Sequence, residues 1–188
     1  NLPYEEQLRL KEQQVKAMMD EAVEGDYVWE GVCSSPVAFA YRNKMEFSFG
    51  DEYKDGPLAL GMHKRGSFHD IVNVEHCQIV DEDYRKILTC TVEASRRSGL
   101  PYYHRMRHTG YFRHLLVRKA VKTGEILIDL VTTDGRDCAT EKEMNDYLEK
   151  WVEDLCCLSL DGKIAGILHT TNNSVADVVK DEGTGIFL

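Results

Sequence analysis

The sequence predicts an α+β fold, a two-layer sandwich in which an antiparallel sheet carries helices on one face, plus an N-terminal helix. After that helix, the apolar patterns follow the order hairpin, strand, helix, hairpin, helix, strand. Turn signals at 55–57 and 122–124 separate the strands of the two hairpins. Because hairpin strands pair in antiparallel, this order favours one antiparallel sheet with its helices packed together on a single face.

The N-terminal helix is predicted from its first turn and its apolar side chains. Pro3 suits the start of a helix, and the acids that follow suit its positive end, so we expect a helix of roughly twenty residues. Its apolar side needs a partner surface. We expect Val15, Met18 and Met19 either to dock on the sheet domain or to mediate a dimer through residues 2–22.

Two further helices have clear start or stop signals. Asp81 can cap the first of them, and Gly99 followed by Pro101 ends it. Thr140 and Glu143 form a capping box for the second. The apolar stripes predicted to face the sheet are Tyr84, Leu88, Thr91, Val92 and Ser95 on the first, and Met144, Leu148, Trp151, Val152 and Leu155 on the second.

The strands are predicted from apolar and alternating segments between these signals. They are 38–49, 58–63, 70–74, 110–121, 125–132 and 162–171. Alternation along the first strand places Arg42 and Lys44 on one face and directs Met45, Phe47 and Phe49 towards the core.

The distribution of charge favours an anion-binding surface, although the net charge of −9 taken alone argues against nucleic acid binding. The segment from Ala94 to Gly124 lacks Asp and Glu but has eight cations: Arg96, Arg97, Arg105, Arg107, Arg113, Arg118, Lys119 and Lys122. Within it, residues 102–113 combine cations with aromatic rings, which hold phosphates and stack on unpaired bases. An ordinary charged strand face is the alternative interpretation.

Several classes of site are excluded by the absence of their motifs. The sequence has no glycine-rich strand-to-helix loop, no Cys-x-x-Cys, no His-Glu-x-x-His and no nucleophile elbow. Its six cysteines lack regular spacing, so a disulfide framework is not expected, and adjacent Cys156 and Cys157 are expected in the core. Without an apolar stretch of about 20 residues or a signal peptide, we expect a cytoplasmic protein with no membrane contact.

Five stretches of the sequence form a set of motifs: residues 2–11, 41–47, the run from Leu60 through Ser67 to Cys77, residues 110–118, and Asn172-Asn173. Taken together, over nearly the whole chain, they resemble the TrmA/RumA family of RNA (uracil-5-)-methyltransferases. In that family a helix like the opening residues directly follows a Cys-Gly-Gly-Cys element. The resemblance is to the family's central domain.

This resemblance implies that Cys77 is one ligand of a [4Fe-4S] cluster in the parent protein. The other three thiolates would lie upstream of this chain, so we expect no bound cluster here and a free Cys77 thiol. The tRNA-modifying branch of the family generally lacks the cluster, so Cys77 favours a parent that acts on 23S rRNA.

The resemblance also implies a division of roles. Residues 1–30 would form a helix that packs on the catalytic domain of the parent, and 31–188 would form the RNA-docking central domain. The TRAM domain and the catalytic domain, which binds S-adenosylmethionine and holds the nucleophile and base, would lie outside this chain. We therefore expect no catalytic residue here, although the parent would be an enzyme.

Charge pattern and motif position together predict the residues that contact RNA, which the resemblance implies is ribosomal RNA. They are Arg42, Lys44, Lys64, Arg65, Arg105, Arg107, Arg113 and Arg118. A different class of function stays open at this stage. A stand-alone protein-interaction or ligand-binding regulatory module would also suit a two-layer α+β domain, and the negative net charge favours it.

Overall fold

The computed structural model describes residues 2–67, 70–175 and 183–188, and the chain forms two compact units, Asn1–Tyr41 and Arg42–Leu188. The first unit contains helix α1 (Tyr4–Ala22), in which no residue is buried. Met18 is 60% exposed. Docking or dimerisation through this helix stays a prediction.

Among its described residues, the second unit contains a seven-stranded sheet and two helices. Helices α2 (Glu82–Ser98) and α3 (Glu141–Cys156) contribute their buried side chains to one core with the sheet. This arrangement confirms the predicted α+β sandwich. The strands are β1 (Lys44–Asp51), β2 (Leu58–His63), β3 (Ile71–Asn73), β4 (Phe112–Lys119), β5 (Glu125–Thr132), β6 (Lys163–Thr171) and β7 (Thr184–Ile186), in the order β3-β2-β1-β4-β5-β6-β7.

The pairing of the sheet departs from the prediction at β6. Strand β6 pairs with β5 in parallel, whereas the other neighbouring strands are antiparallel. The reason is that α3 lies between β5 and β6 in sequence, and a helical crossover returns the chain to the same end of the sheet. Strand β7, which the sequence did not predict, pairs with the free edge of β6.

Strand β1 is shorter than predicted at its start. It begins at Lys44, and the N–H of Lys119 at the end of β4 donates to the carbonyl of Asn43 at 3.0 Å. Beyond that point β4 gives way to the turn before β5, so the preceding residues have no β4 strand to pair with.

The core lies between the helices and one face of the sheet. Met45, Phe47 and Phe49 are buried there, as the alternation predicts. At its centre the fully buried indole of Trp151 donates from Nε1 to Thr91 Oγ1 at 3.0 Å, so the polar edge of this ring is satisfied inside the core.

The helix boundaries follow the capping signals. Asp81 Oδ1 accepts from the N–H of Asp83, and Gly99 ends α2 with φ 72°. The capping box of Thr140 and Glu143 is formed. One expectation for α3 is wrong: Cys156 and Cys157 are exposed, because they follow the apolar stripe that ends at Leu155.

A buried carboxylate joins three parts of the second unit. Asp83 lies in the first turn of α2, and its oxygens accept hydrogen bonds from Lys119 Nζ at 2.7 Å and from the backbone N–H groups of Asp161 and Gly162 at 2.8 Å. Lys119 Nζ also donates to Asp81 at 2.7 Å. Burial by itself would raise the pKa of Asp83, but these hydrogen bonds outweigh it and hold the pKa below its ordinary value of 3.8.

This node predicts a specific pH dependence of stability. Because the folded-state pKa of Asp83 is depressed, its charged form stabilises the fold above about pH 4, and that contribution is lost as the pH falls through the folded pKa. We expect Asp83→Asn to lower the free energy of unfolding by about 1–3 kcal/mol at neutral pH. Urea titrations across the acid range should show this difference shrinking as the pH falls. A difference independent of pH, or an equal loss in the exposed control Asp146→Asn, would contradict the assignment.

Candidate nucleic-acid interface

The turn between β2 and β3 presents two consecutive cations. Lys64 and Arg65 directly follow His63, and the turn is closed by the N–H of Ser67 donating to the carbonyl of Lys64 at 3.0 Å. Lys64 Nζ is 3.4 Å from an oxygen of Asp70, an exposed and therefore weak ion pair. The Arg65 side chain makes no salt bridge or hydrogen bond within the described residues.

A second group of cations lies on the loop formed by residues 102–110, which we call the basic loop. Its backbone is folded on itself by the N–H of His104 donating to the carbonyl of Thr109 and the N–H of His108 donating to the carbonyl of His104, both at 2.8 Å. Gly110 closes it with φ 111°, where a Cβ atom would lie 2.0 Å from the carbonyl oxygen of Tyr102. Only glycine fits this position.

The tip of the basic loop faces solvent. Arg105, Met106 and Arg107 are exposed, and Met106 is 74% accessible. The Arg107 side chain makes no salt bridge or hydrogen bond within the described part of the chain. Two exposed cations beside an exposed apolar side chain suit a ligand with both phosphates and flat rings.

The two groups of cations meet beside one cleft. Arg105 Nη2 lies 3.1 Å from His63 Nε2, so the basic loop contacts the end of β2. Tyr102 and Tyr103 line the cleft between them. We call the residues His63, Lys64, Arg65, Arg105 and Arg107 the near-end surface. Its neighbouring acids are Asp51, Asp55 and Asp70, of which Asp51 accepts from the N–H of Asp55 at 2.9 Å.

Arg113 holds the basic loop in place. It is 4% exposed and lies where the register between β4 and β5 shifts. Its guanidinium donates to the carbonyls of Asn172 at 3.0 Å and Ser174 at 2.7 Å, and stacks 4.3 Å from the ring of Tyr103. The direct RNA contact predicted for Arg113 does not suit this burial, because its guanidinium is directed at protein groups.

Three other predicted contacts lie near the start of β1 and the end of β4, at the end of β4 that is farther from the basic loop. Lys44 and Arg118 are directly opposite each other on neighbouring strands, and both are exposed. Arg42 is exposed and donates from Nε to the carbonyl of Lys44 at 3.1 Å. The structure therefore divides the predicted set into a near-end group, a second group at the start of β1, and the buried Arg113.

Four of the eight cations in the acid-free segment bind protein groups outside the near-end surface. Arg96 donates to the carbonyl of Leu58, Arg97 pairs with Asp154 at 2.6 Å, and Lys119 is neutralised beside α2. Arg113 is the fourth. The sequence showed where cations are concentrated but not which of them would be used to hold the fold.

Cys77 is half-buried and packs against the core, with its N–H donating to the carbonyl of Val74 at 2.9 Å. An iron–sulfur cluster of this type needs four ligands. Among the described residues, no three His, Cys, Asp or Glu side chains converge in a way that could hold a metal ion. Cys77 alone does not supply the ligand set of a [4Fe-4S] cluster.

Two residues that line the cleft of the near-end surface, His63 and Tyr103, were not among the predicted contacts. His63 contacts Arg105, and Tyr103 supports Arg113. His63 could have been found from its position directly before Lys64 and Arg65. The role of Tyr103 depends on a stacking contact ten residues away, which no sequence pattern shows.

No family model matches the chain. It is 46% identical over 96% of its length to an uncharacterized RNA methyltransferase of Clostridium acetobutylicum, and 38% identical over 95% to one of Caldanaerobacter subterraneus. The chain is a homologue of RNA methyltransferases. It spans about 38% of the length of these relatives.

A solved structure supports the fold of this homologue. The tRNA (uracil-54, C5)-methyltransferase of Pyrococcus abyssi, in complex with S-adenosyl-L-homocysteine, matches 94% of the chain and 36% of its own with a TM-score of 0.62 at 21% identity. The comparisons confirm the family resemblance that the sequence motifs indicated. Among the described residues, the helices are too short or too polar to cross a membrane.

The contacts of Arg113 predict that even lysine cannot replace it. Lysine has no planar group that could stack on the ring of Tyr103 while its nitrogen donates to the two carbonyls, so Arg113→Lys should lower the free energy of unfolding by about 1–3 kcal/mol. Urea denaturation measures this loss. The control Arg118→Lys, at an exposed position on the same strand, should stay within about 0.5 kcal/mol of the parent sequence. Equal effects of the two substitutions would contradict the role of Arg113.

Proposed function

We propose that this chain positions RNA for an S-adenosylmethionine-dependent RNA (uracil-5-)-methyltransferase, and that it does so through the near-end surface. The observation that carries the proposal is the meeting of the basic loop with the β2–β3 turn, where Arg105 contacts His63. Arg65 and Arg107 flank this contact without acidic partners in the described structure. Cations beside exposed aromatic and apolar side chains bind the backbone and the unstacked bases of RNA.

The net negative charge of the whole chain also affects where a polyanion can bind. Acids outnumber Lys and Arg by 32 to 23, yet Arg65 and Arg107 form no ion pair within the described residues. Surface ion pairs elsewhere, such as Lys142 with Asp146 and Lys150 with Asp154, neutralise cations on α3. An acid-rich protein that keeps cations exposed on one surface can direct a polyanion to that surface and repel it elsewhere.

The role in the reaction would be to hold the substrate. Binding energy from parts of the RNA that do not react can be used to place the target base against a catalytic site. We propose that the methyl transfer itself uses groups outside the described residues, with S-adenosylmethionine as the methyl donor. The P. abyssi neighbour was solved with the demethylated product of that donor, S-adenosyl-L-homocysteine.

The substrate we propose is ribosomal RNA, with 23S rRNA as the target. The support is Cys77, which the resemblance to the TrmA/RumA family aligns with an iron–sulfur ligand of the cluster-containing branch. The role of Cys77 as one ligand of a [4Fe-4S] cluster in the longer protein is part of the same proposal. A cluster would need three further thiolates in addition to Cys77.

The proposal predicts salt-dependent binding of RNA. Titration of a fluorescent 23S rRNA stem-loop should give an affinity that falls steeply as salt rises, because bound cations release counterions from the phosphates. Arg65→Ala with Arg107→Ala should weaken binding on the order of 20-fold near 0.1 M salt and reduce the slope of log K against log salt by roughly 1.4. Fluorescence anisotropy measures both quantities.

The matched control removes the same charge from the helical layer. Lys142→Ala with Lys150→Ala also deletes two exposed lysines, but on α3, and should leave affinity and slope unchanged. Binding that is absent, or insensitive to salt, would contradict RNA positioning. Equal binding of a tRNA stem-loop would contradict only the assignment to ribosomal RNA.

A further inference from the structure

The two cations at the start of β1 and the end of β4 share the sheet face that lies away from the helices. Lys44 pairs with Arg118 in the register of β1 and β4, one residue from the pair of Met45 with Val117. Met45 and Val117 are buried in the core beneath the helices. Since side chains alternate along a strand, Lys44 and Arg118 extend from the opposite face.

This pair of like charges forms no ion pair within the described structure. Neither the Lys44 ammonium nor the Arg118 guanidinium makes a salt bridge or a side-chain hydrogen bond there. Like charges directly opposite each other on neighbouring strands destabilise a sheet. One residue further along β4, on the core side, Lys119 is neutralised by two carboxylates at 2.7 Å. The fold thus neutralises one cation of this strand and leaves its neighbour exposed.

The near-end surface lies on the same face of the sheet. A Cβ atom added to Gly50 would lie 2.5 Å from the side chain of Ile71, and Gly50 alternates in phase with Lys44 along β1. Ile71 pairs with His63 in the register of β2 and β3, so the side chain of His63 shares this face. His63 is the residue that contacts the basic loop.

The two groups of cations are therefore separated along β1. Gly50, which contacts Ile71, lies six residues after Lys44, which corresponds to about 20 Å along a strand. Glu46 is exposed between them on the same face. A ligand that contacts both groups must be long, and it must place its charges at the ends of this distance and not at its centre.

We propose that Lys44 and Arg118 form a second phosphate site, so that RNA contacts this face of the sheet at two points about 20 Å apart. This inference rests on the proposed function and specifies its substrate class. The RNA must extend over at least about six stacked nucleotides, at ~3.4 Å per phosphate along one strand. A shorter RNA can occupy only the near-end surface.

The test compares RNAs of two lengths on the 188-residue chain. An RNA of about 3 nucleotides and one of about 12 nucleotides are each titrated with the unsubstituted chain and with the double variant Lys44→Ala, Arg118→Ala. Fluorescence anisotropy measures the binding. We expect the double variant to lose on the order of 20-fold affinity for the longer RNA near 0.1 M salt and to bind the shorter RNA unchanged. Lys142→Ala with Lys150→Ala is the charge-matched control, expected to bind both RNAs as the parent does.

A single variant separates lost binding from lost folding. Lys44→Glu places an acid opposite Arg118, so it should raise the thermal midpoint of unfolding while it weakens binding of the longer RNA. Unchanged binding of the longer RNA in the double variant would overturn the second site and leave the near-end surface standing. If the unsubstituted chain binds neither RNA, both the second phosphate site and the proposed RNA-positioning function are overturned.

An acidic polypeptide is the other anion that could reach this distance. Polyglutamate of comparable length serves as the competitor. Displacement of the longer RNA by polyglutamate at equal charge, abolished by Lys44→Ala with Arg118→Ala, would show a surface for acidic protein and overturn the assignment to RNA. Displacement only at large excess supports the RNA assignment.

Discussion

The buried guanidinium of Arg113 is the interaction on which the arrangement of the basic loop depends. It joins the stacked ring of Tyr103 to the backbone carbonyls of Asn172 and Ser174, which follow strand β6. A loop held at one end by a tight glycine turn and at the other by the contact of this cation with Tyr103 needs no ligand to keep its shape. Pre-ordering of this kind lowers the entropic cost of binding, because the cations at its tip are already close to their bound positions.

The use of charge in this protein follows from its excess of acid. Where a cation lies at the boundary of the core, carboxylates neutralise it, as Asp81 and Asp83 do for Lys119. Where cations lie on the sheet face away from the helices, no carboxylate pairs with Lys44 or Arg118 in the described structure. The average charge of the chain thus conceals a division between structural cations and cations left exposed to an anionic partner.

Local signals in the sequence predicted most of the fold. Asp81, Gly99 and the capping box at Thr140 act within one turn of a helix, and alternation placed Met45, Phe47 and Phe49 in the core. The parallel pairing of β5 with β6 and the short edge strand β7 depend on where distant segments meet, which local patterns do not encode.

The candidate site also depends on contacts between distant segments, which local sequence patterns do not encode. The acid-free segment of the sequence located the basic loop, but burial decides that Arg113 and Lys119 hold the fold and that Arg107 and Arg118 are exposed. Mapping photo-crosslinks between a bound rRNA stem-loop and the 188-residue chain tests the RNA-positioning role most directly. RNA positioning predicts crosslinked peptides that contain the basic loop and the β2–β3 turn. Crosslinks concentrated on the outer faces of α2 and α3 would contradict it.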